Sequence, residues 1–348
     1  MRQLCDEAIR LLKSGESFVQ ATILKSSGSV PRGAGASMLI LNDGGIVDTV
    51  GGGALEGGII KAAPDVYRAK CARVIEIVLD GNDAVAVGMI CGGSATVLLD
   101  YIDADNPGNL EFFEQLDAVL RTGAQAEIVT ALPDSGAARS QCLRLLGEES
   151  ALKGTSGIRA DVLSQLQNGK FAKDVTVGGE ETMFFSRVGD ATVYIFGAGH
   201  CGEKLEPVLR YVGFRTVVVD DRAEFANRER FPDANEILVP ESMDKPFESI
   251  KFTGDSYVVI VTRGHAHDEL VLRGAVKSGA GYVGMIGSKR KRESIYARLL
   301  SDGYAQADID KVYAPIGIPI GDETPEEIAI SITAQLIKVR AERRAQPI

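Results

Sequence analysis

The stretch Tyr194–Gly202, YIFGAGHCG, followed by VVVDD at Val217–Asp221, decides how the second half of this 348-residue chain folds. A short apolar run enters Gly197, Gly199 and Gly202 at GxGxxG spacing, and the next apolar run ends in Asp220 about 20 residues on, the arrangement of a dinucleotide-binding strand–turn–helix. Each glycine has its own physical reason: a tight turn, close approach of backbone to a pyrophosphate, and close packing of helix on strand. The helix that follows offers free N–H groups and the positive end of its dipole to an anion. Around this unit, apolar runs at 191–196, 215–220, 235–239, 256–262 and 282–286 alternate with helical patterns. Such alternation implies right-handed crossovers and a parallel sheet. Ligands on such sheets bind beyond the carboxyl ends of the strands.

The first half reads as a mixed α+β domain. A helical stripe of Leu4, Ala8, Leu11 and Leu12 leads into apolar strands at 18–24, 37–41 and 46–50. A helical pattern over 55–69, strands at 73–79 and 95–101, and a helix at 109–122 follow. Between about 132 and 182 polar turns and glycines dominate and the pattern weakens. The fold class is therefore α/β: a Rossmann-like sheet with helices on both faces behind an N-terminal mixed domain. The expected division is 1–185, with its core over 15–105 and 105–185 less defined, and 190–348.

Composition narrows the function. With 45% hydrophobic and 25% charged residues the chain is ordinary globular protein. A net charge of −10 argues against a nucleic-acid partner, which needs a basic surface. The five cysteines are scattered and form no CxxC pair, as free thiols in a reducing compartment would. No apolar run is long enough to span a bilayer, and the expected location is cytoplasmic.

Several unusual residues fall at predicted strand ends. TRGHAHD places Arg263, His265 and His267 past the fourth strand of the second half, and His200 lies in the glycine turn. His265 reads equally as a functional group or a loop hydrogen-bonder, and His267 as an exposed first-turn residue. MIGSKRKR puts Gly287, Ser288 and Lys289 at a helix start, where cations oppose the dipole unless an anion is bound. The alternative there is a solvated basic face. In the first half, GGGALE leaves Gly52 and Gly53 as bare backbone beside Glu56, a candidate cofactor contact whose simpler reading is a cap in the first turn of the helix. GMICGG follows Cys91 with Gly92 and Gly93, which keep bulk away on that side, so that its sulfur is reachable by a soft metal or a sulfur-bearing ligand. Arg32, in GSVPRGAG, is either a guanidinium for an anionic group or a surface charge.

The ordered set GSVPRGAGASMLI, GGGALEG, MICGG, FGAGHCG…VVVDDR, TRGHAHDE, GYVGMIGSKRKR and APIGIPIGDETPEEIA resembles the XdhC/CoxI family, accessory proteins that mature molybdenum hydroxylases such as xanthine dehydrogenase. The resemblance implies binding of molybdenum cofactor (molybdopterin, free or as a pterin dinucleotide), help with its sulfuration by a cysteine desulfurase, and delivery to an apo-hydroxylase. It implies a chaperone rather than a turnover enzyme, with Cys91 matching the family's CGG cysteine and a candidate molybdenum ligand. Position 54 is Ala where some relatives carry cysteine, and Pro319 stands where many have Asp. On this reading a cleft between the domains would hold the phosphate end through Gly199, Gly202 and Ser288 and the metal end near Cys91. The rivals are an NAD(P)-dependent oxidoreductase, with Asp220 on the ribose and His265 as acid or base, and a nucleotide-sensing module. The terminal helix, with Ile328, Ile332, Leu336 and Val339 on one face, would pack on its own sheet or build a homodimer interface.

Overall fold

A computed structural model describes residues 1–28, 30, 32–79, 93–122, 126–132, 140–145, 152–153, 174–177 and 181–345. The chain divides into two compact units, Met1–Gly189 and Asp190–Pro347.

In the first unit, helix α1 (Arg2–Lys13) buries Leu4, Cys5, Ala8, Leu11 and Leu12, the apolar stripe of its sequence. It packs on α3 (Pro107–Thr122) through Phe112, Phe113 and Leu116, with Phe18 beneath. Cys5 behaves as a core hydrophobe. Burial, and then Asp117 and Asp6, push its thiol up to about 12, so it carries no thiolate chemistry. Five antiparallel strands form the first sheet: β1 (Phe18–Gly28), β2 (Ser37–Ile40), β3 (Ile46–Val47), β4 (Arg73–Leu79) and β5 (Gly93–Ile102), in the order β3-β2-β1-β5-β4. Helix α2 (Gly53–Ala69) covers one face, laying Leu55, Ile59, Ala63 and Val66 on Val19, Ala21, Ile23, Val97 and Leu99.

The stretch whose pattern weakens contains a second antiparallel sheet. Strands β6 (Ala126–Leu132), β7 (Ser140–Leu145), β8 (Leu152–Lys153), β9 (Asp174–Val177) and β10 (Glu181–Val188) pair in the order β8-β7-β6-β10-β9. Phe184 of β10 joins Leu24 and Leu98 of the first sheet in one cluster, and Ile128 and Val188 join the cluster under α1 and α3.

The second unit is a parallel five-stranded sheet of β11 (Thr192–Phe196), β12 (Arg215–Val219), β13 (Glu236–Leu238), β14 (Ser256–Ile260) and β15 (Tyr282–Met285). Its order, β13-β12-β11-β14-β15, reverses direction between β11 and β14, which makes that junction the topological switch point. β11, β12 and β14 are almost wholly buried, as strands covered on both faces must be. On one face α4 (His200–Tyr211) and α9 (Pro325–Ala345) pack Leu205, Leu209, Ile332 and Leu336 against Val193, Ile195 and Val259. The opposite face carries α6 (His265–Lys277) and α7 (Lys289–Ser301), with Val271, Leu272, Ile295 and Leu299 on Val217, Val258, Ile260 and Met285. Short helices α5 (Pro246–Ser249) and α8 (Gln306–Ile309) lie in the connections. The terminal helix therefore spends its Ile332, Leu336 and Val339 stripe on its own sheet.

Candidate functional site

The glycine turn sits at the switch point and is held from both sides. Gly197 has φ of +120°, and a Cβ there would stand under 3.0 Å from the Val261 carbonyl oxygen, so β14 can approach only because the side chain is missing. A Cβ on Gly202 would meet the Gly197 carbonyl oxygen at similarly forbidden range. Gly199 differs: among the described residues nothing lies within 4 Å of where its Cβ would be. Two of the glycines serve packing, and the middle one leaves backbone facing open space.

Asp220 completes the clamp. Its Oδ2 accepts from the Ala198 N–H at 2.9 Å, and its two oxygens take the Arg222 guanidinium at 2.9 and 3.0 Å and the Arg222 N–H at 3.1 Å. Burial pushes the carboxyl upward, but the Arg222 side chain and the two N–H donors outweigh it and hold it below the usual aspartate range. Arg222 in turn lies 3.8 Å from the centroid of the Phe225 ring. The Ala198 carbonyl accepts from Arg230 at 2.8 Å. Asp220 is thus 2% exposed and committed to the protein, a positioning role that the ribose-binding expectation did not include. Asp221, one residue on, faces the strand ends and accepts from Arg263 Nη2 at 2.9 Å.

Gly199 and Gly264 stand at the N-caps of α4 and α6, and among the described residues no side chain caps either start. Both starts flank the switch point, and a Cβ on Gly264 would also meet nothing within 4 Å. His200 is exposed in the first turn of α4, while Cys201 packs toward the cluster under α4 and its thiol is raised by burial. His265 opens α6, and its side chain lies outside the described residues. His267 is half-buried, with Nε2 3.2 Å from Arg263 Nη2. Ser288 caps α7 by accepting from the Lys291 N–H at 3.3 Å. Lys289 is 80% exposed beside Glu293, as a solvated cation would be.

Sequence reasoning missed the most buried ionic contact at these strand ends. Asp268 is 0% exposed and accepts from the Thr262 hydroxyl at 2.7 Å and the Thr262 N–H at 3.2 Å, and its other oxygen pairs with Lys291. Lys291 also donates to the Ile286 carbonyl at 3.1 Å, and its side chain would crowd a Cβ on Gly287. This pair ties the first turn of α6 to that of α7, and through Thr262 and the Ile286 carbonyl it reaches the loops after β14 and β15. The residues are separated by 23 positions, so no local pattern announces it.

At one end of the first sheet Gly28, closing β1, pairs with Gly93, opening β5. Val30 and Ala36 pack against the cluster that holds Val50 and Leu55, and Arg32 reaches within 3.6 Å of Asp48. Cys91 and Gly92 lie outside the described residues. Gly51, Gly52 and Gly53 all have positive φ, at +122°, +77° and +64°, a path that side chains rarely follow. The amides this path presents meet Glu56: its Oε1 accepts from the Gly52 N–H at 2.9 Å, the Val50 N–H at 3.2 Å and the Thr49 hydroxyl. Burial raises that carboxyl, but the bonds from Thr49, Gly52, Val50 and Gly51 prevail and keep it below the ordinary glutamate value. Glu56 is the loop's own anion.

Among the described residues no helix is long and apolar enough to cross a membrane, and no three His, Cys, Asp or Glu side chains gather as a metal site would require.

With this geometry in view, residues 193–336 match the profile of the XdhC Rossmann domain, and residues 11–78 match that of the XdhC and CoxI family. The Escherichia coli protein "Uncharacterized protein YqeB" is 25% identical over 334 residues, covering 96% of this chain and 46% of its own length. The chain therefore spans about half of that relative. A Bacillus subtilis protein, described as a probable xanthine dehydrogenase subunit, is 26% identical over 335 residues, with 95% of each chain covered. The crystal structure of a xanthine dehydrogenase from Bacillus halodurans superposes with a TM-score of 0.75 at 28% identity, covering 98% of both chains.

Proposed function

The chain belongs to the XdhC/CoxI family, and from that premise we propose that it is a maturation factor for a xanthine dehydrogenase-type molybdenum hydroxylase. It binds molybdenum cofactor, shields it during sulfuration by a cysteine desulfurase and hands it to the apo-hydroxylase. The observation that carries the reading is the open Gly199 backbone between two helix starts without side-chain caps, on a sheet whose family match is to the XdhC Rossmann domain. Backbone N–H groups at such starts suit the phosphate of a pterin or the pyrophosphate of a pterin dinucleotide. Gly199, Gly202 and the first turns of α4 and α6 would hold that end. When bound, the cofactor supplies a molybdenum centre, for which Cys91 is the proposed thiolate ligand.

The rival NAD(P)-dependent oxidoreductase loses its ribose carboxylate, because both oxygens of Asp220 are occupied by Ala198 and Arg222. The test is anaerobic gel filtration of the protein with isolated molybdenum cofactor, with molybdenum and pterin quantified in the protein peak, Cys91→Ala in parallel and NADH as competitor. Stoichiometric retention that falls in Cys91→Ala supports the reading. Absence of retention together with tight NADH binding transfers the case to the oxidoreductase.

A further inference from the structure

At the strand ends of the second unit one ion pair has no part in holding the turn. Arg263 Nη2 donates to Asp221 Oδ2 at 2.9 Å, and His267 Nε2 stands 3.8 Å from the same oxygen. Asp221 follows β12 and Arg263 follows β14, and β11 lies between those two strands, paired with each. Neighbouring strands are about 4.8 Å apart, so the pair bridges a span of roughly 10 Å past the carboxyl end of β11, where the glycine turn begins.

The other cations at this edge are differently engaged. Arg222 is bidentate to Asp220, Arg230 is bonded to Glu203 and the Ala198 carbonyl, and Lys291 is paired with buried Asp268. Lys289 and Arg290 point to solvent. Arg263, at 38% exposure, is a guanidinium whose carboxylate partner comes from the far side of the turn. A guanidinium fork accepts a phosphate in the same manner as a carboxylate, and the two compete for it.

We propose that the Arg263–Asp221 pair is an autoinhibitory strap, in which Asp221 holds the guanidinium that a phosphate-bearing ligand on the glycine turn takes over. The inference rests on the proposed phosphate seat at that turn and names its internal competitor. Both side chains are partly exposed, and exposed pairs of this kind shift an equilibrium by no more than about fivefold. The strap therefore tunes binding rather than abolishing it, and a ligand displaces it without disturbing the Asp220 clamp.

Calorimetric titration of the full chain with inorganic pyrophosphate tests this in wild type, Asp221→Asn, Arg263→Gln and the double variant. Asp221→Asn should tighten pyrophosphate binding by about fivefold, as a released exposed pair allows. Arg263→Gln should weaken it by roughly tenfold through loss of a charge-assisted contact. The double variant should match Arg263→Gln alone, because no guanidinium remains to be released. Unchanged or weaker binding in Asp221→Asn overturns the strap, as does a double variant tighter than Arg263→Gln, or pyrophosphate that binds neither wild type nor Asp221→Asn. Melting temperatures of all four proteins should coincide, which separates a binding effect from misfolding. Molybdenum-cofactor retention on the same samples keeps the two readings apart: retention with a flat pyrophosphate series sinks the strap alone. The expected pyrophosphate pattern without retention leaves the strap standing and sinks the maturation role.

Discussion

Gly51–Gly53 and Gly197–Gly202 are both glycine-framed approaches to a helix start; in sequence the first reads as bare backbone beside a capping acid and the second as a seat for an anion. They reach opposite ends. In the first, the helix carries its own acid: Glu56 turns back and takes the Gly52 and Val50 amides. In the second, the nearby acid is turned to a different task, since Asp220 takes Ala198 and Arg222, and the starts of α4 and α6 keep no side-chain cap. A glycine-rich turn thus marks a place where backbone amides are exposed, while the position of the nearest carboxylate decides whether they remain available. Glu56 is one turn into its helix and reaches back; Asp220 arrives from the next strand and approaches the turn from behind.

Perturbing the frame of the second loop should have the largest effect. Lys291→Met removes the cation from Asp268, which is 0% exposed, and removing one member of a buried pair costs about 3–5 kcal/mol. Denaturant unfolding should show that loss. A smaller loss would mean that Thr262 alone satisfies the carboxylate. Gly202→Ala forces a methyl onto the Gly197 carbonyl and should cost roughly 2–3 kcal/mol by the same measurement, as overpacking against backbone does.

The first loop should respond more mildly and with a pH signature. Glu56→Gln weakens bonds to a charged acceptor and should cost about 1–2 kcal/mol at neutral pH. Because the folded carboxyl titrates below its ordinary value of 4.5, its stabilisation is fully present above that value. It is lost as pH falls through the lower, folded value. Melting curves of wild type and Glu56→Gln should therefore converge below pH 4.5, and parallel curves down to strong acid would show that Glu56 is not the loop's anion. Gly199→Ala should be the smallest change, within about 0.5 kcal/mol in stability, because its φ of −76° suits alanine and nothing stands near the new methyl. Its effect should appear in pyrophosphate or cofactor binding instead. Equal loss of stability in Gly199→Ala and Gly202→Ala would erase the distinction between packing glycine and open glycine.

The parallel sheet was legible because its strands are buried on both faces and read as continuous apolar runs: Thr192–Phe196, Arg215–Val219 and Ser256–Ile260 each lie within the expected segments. The terminal helix was legible for the complementary reason, a 3.6-residue stripe ending on a core. The second antiparallel sheet was not, since strands such as Leu152–Lys153 and Asp174–Val177 are too short for a period to emerge and take their register from partners far away in the chain. Among candidate site residues, the glycines of the turn were recognisable by spacing and Glu56 as a cap by its place in the first turn of its helix, whereas the commitment of Asp220 was not. An acid's partners depend on which backbone amides the fold brings within about 3 Å of it.

By itself, then, the sequence determined the α/β class, the strand order's raw material and the family to which the chain belongs, because burial on both faces, helical periodicity and turn glycines are local demands written residue by residue. Only the tertiary structure decided which amides are already answered, that Asp221 rather than Asp220 faces the strand ends, and that Asp268 and Lys291, 23 positions apart, join the first turns of α6 and α7. Those outcomes follow from contacts between distant segments, where a carboxylate goes to the nearest donors the folded backbone presents.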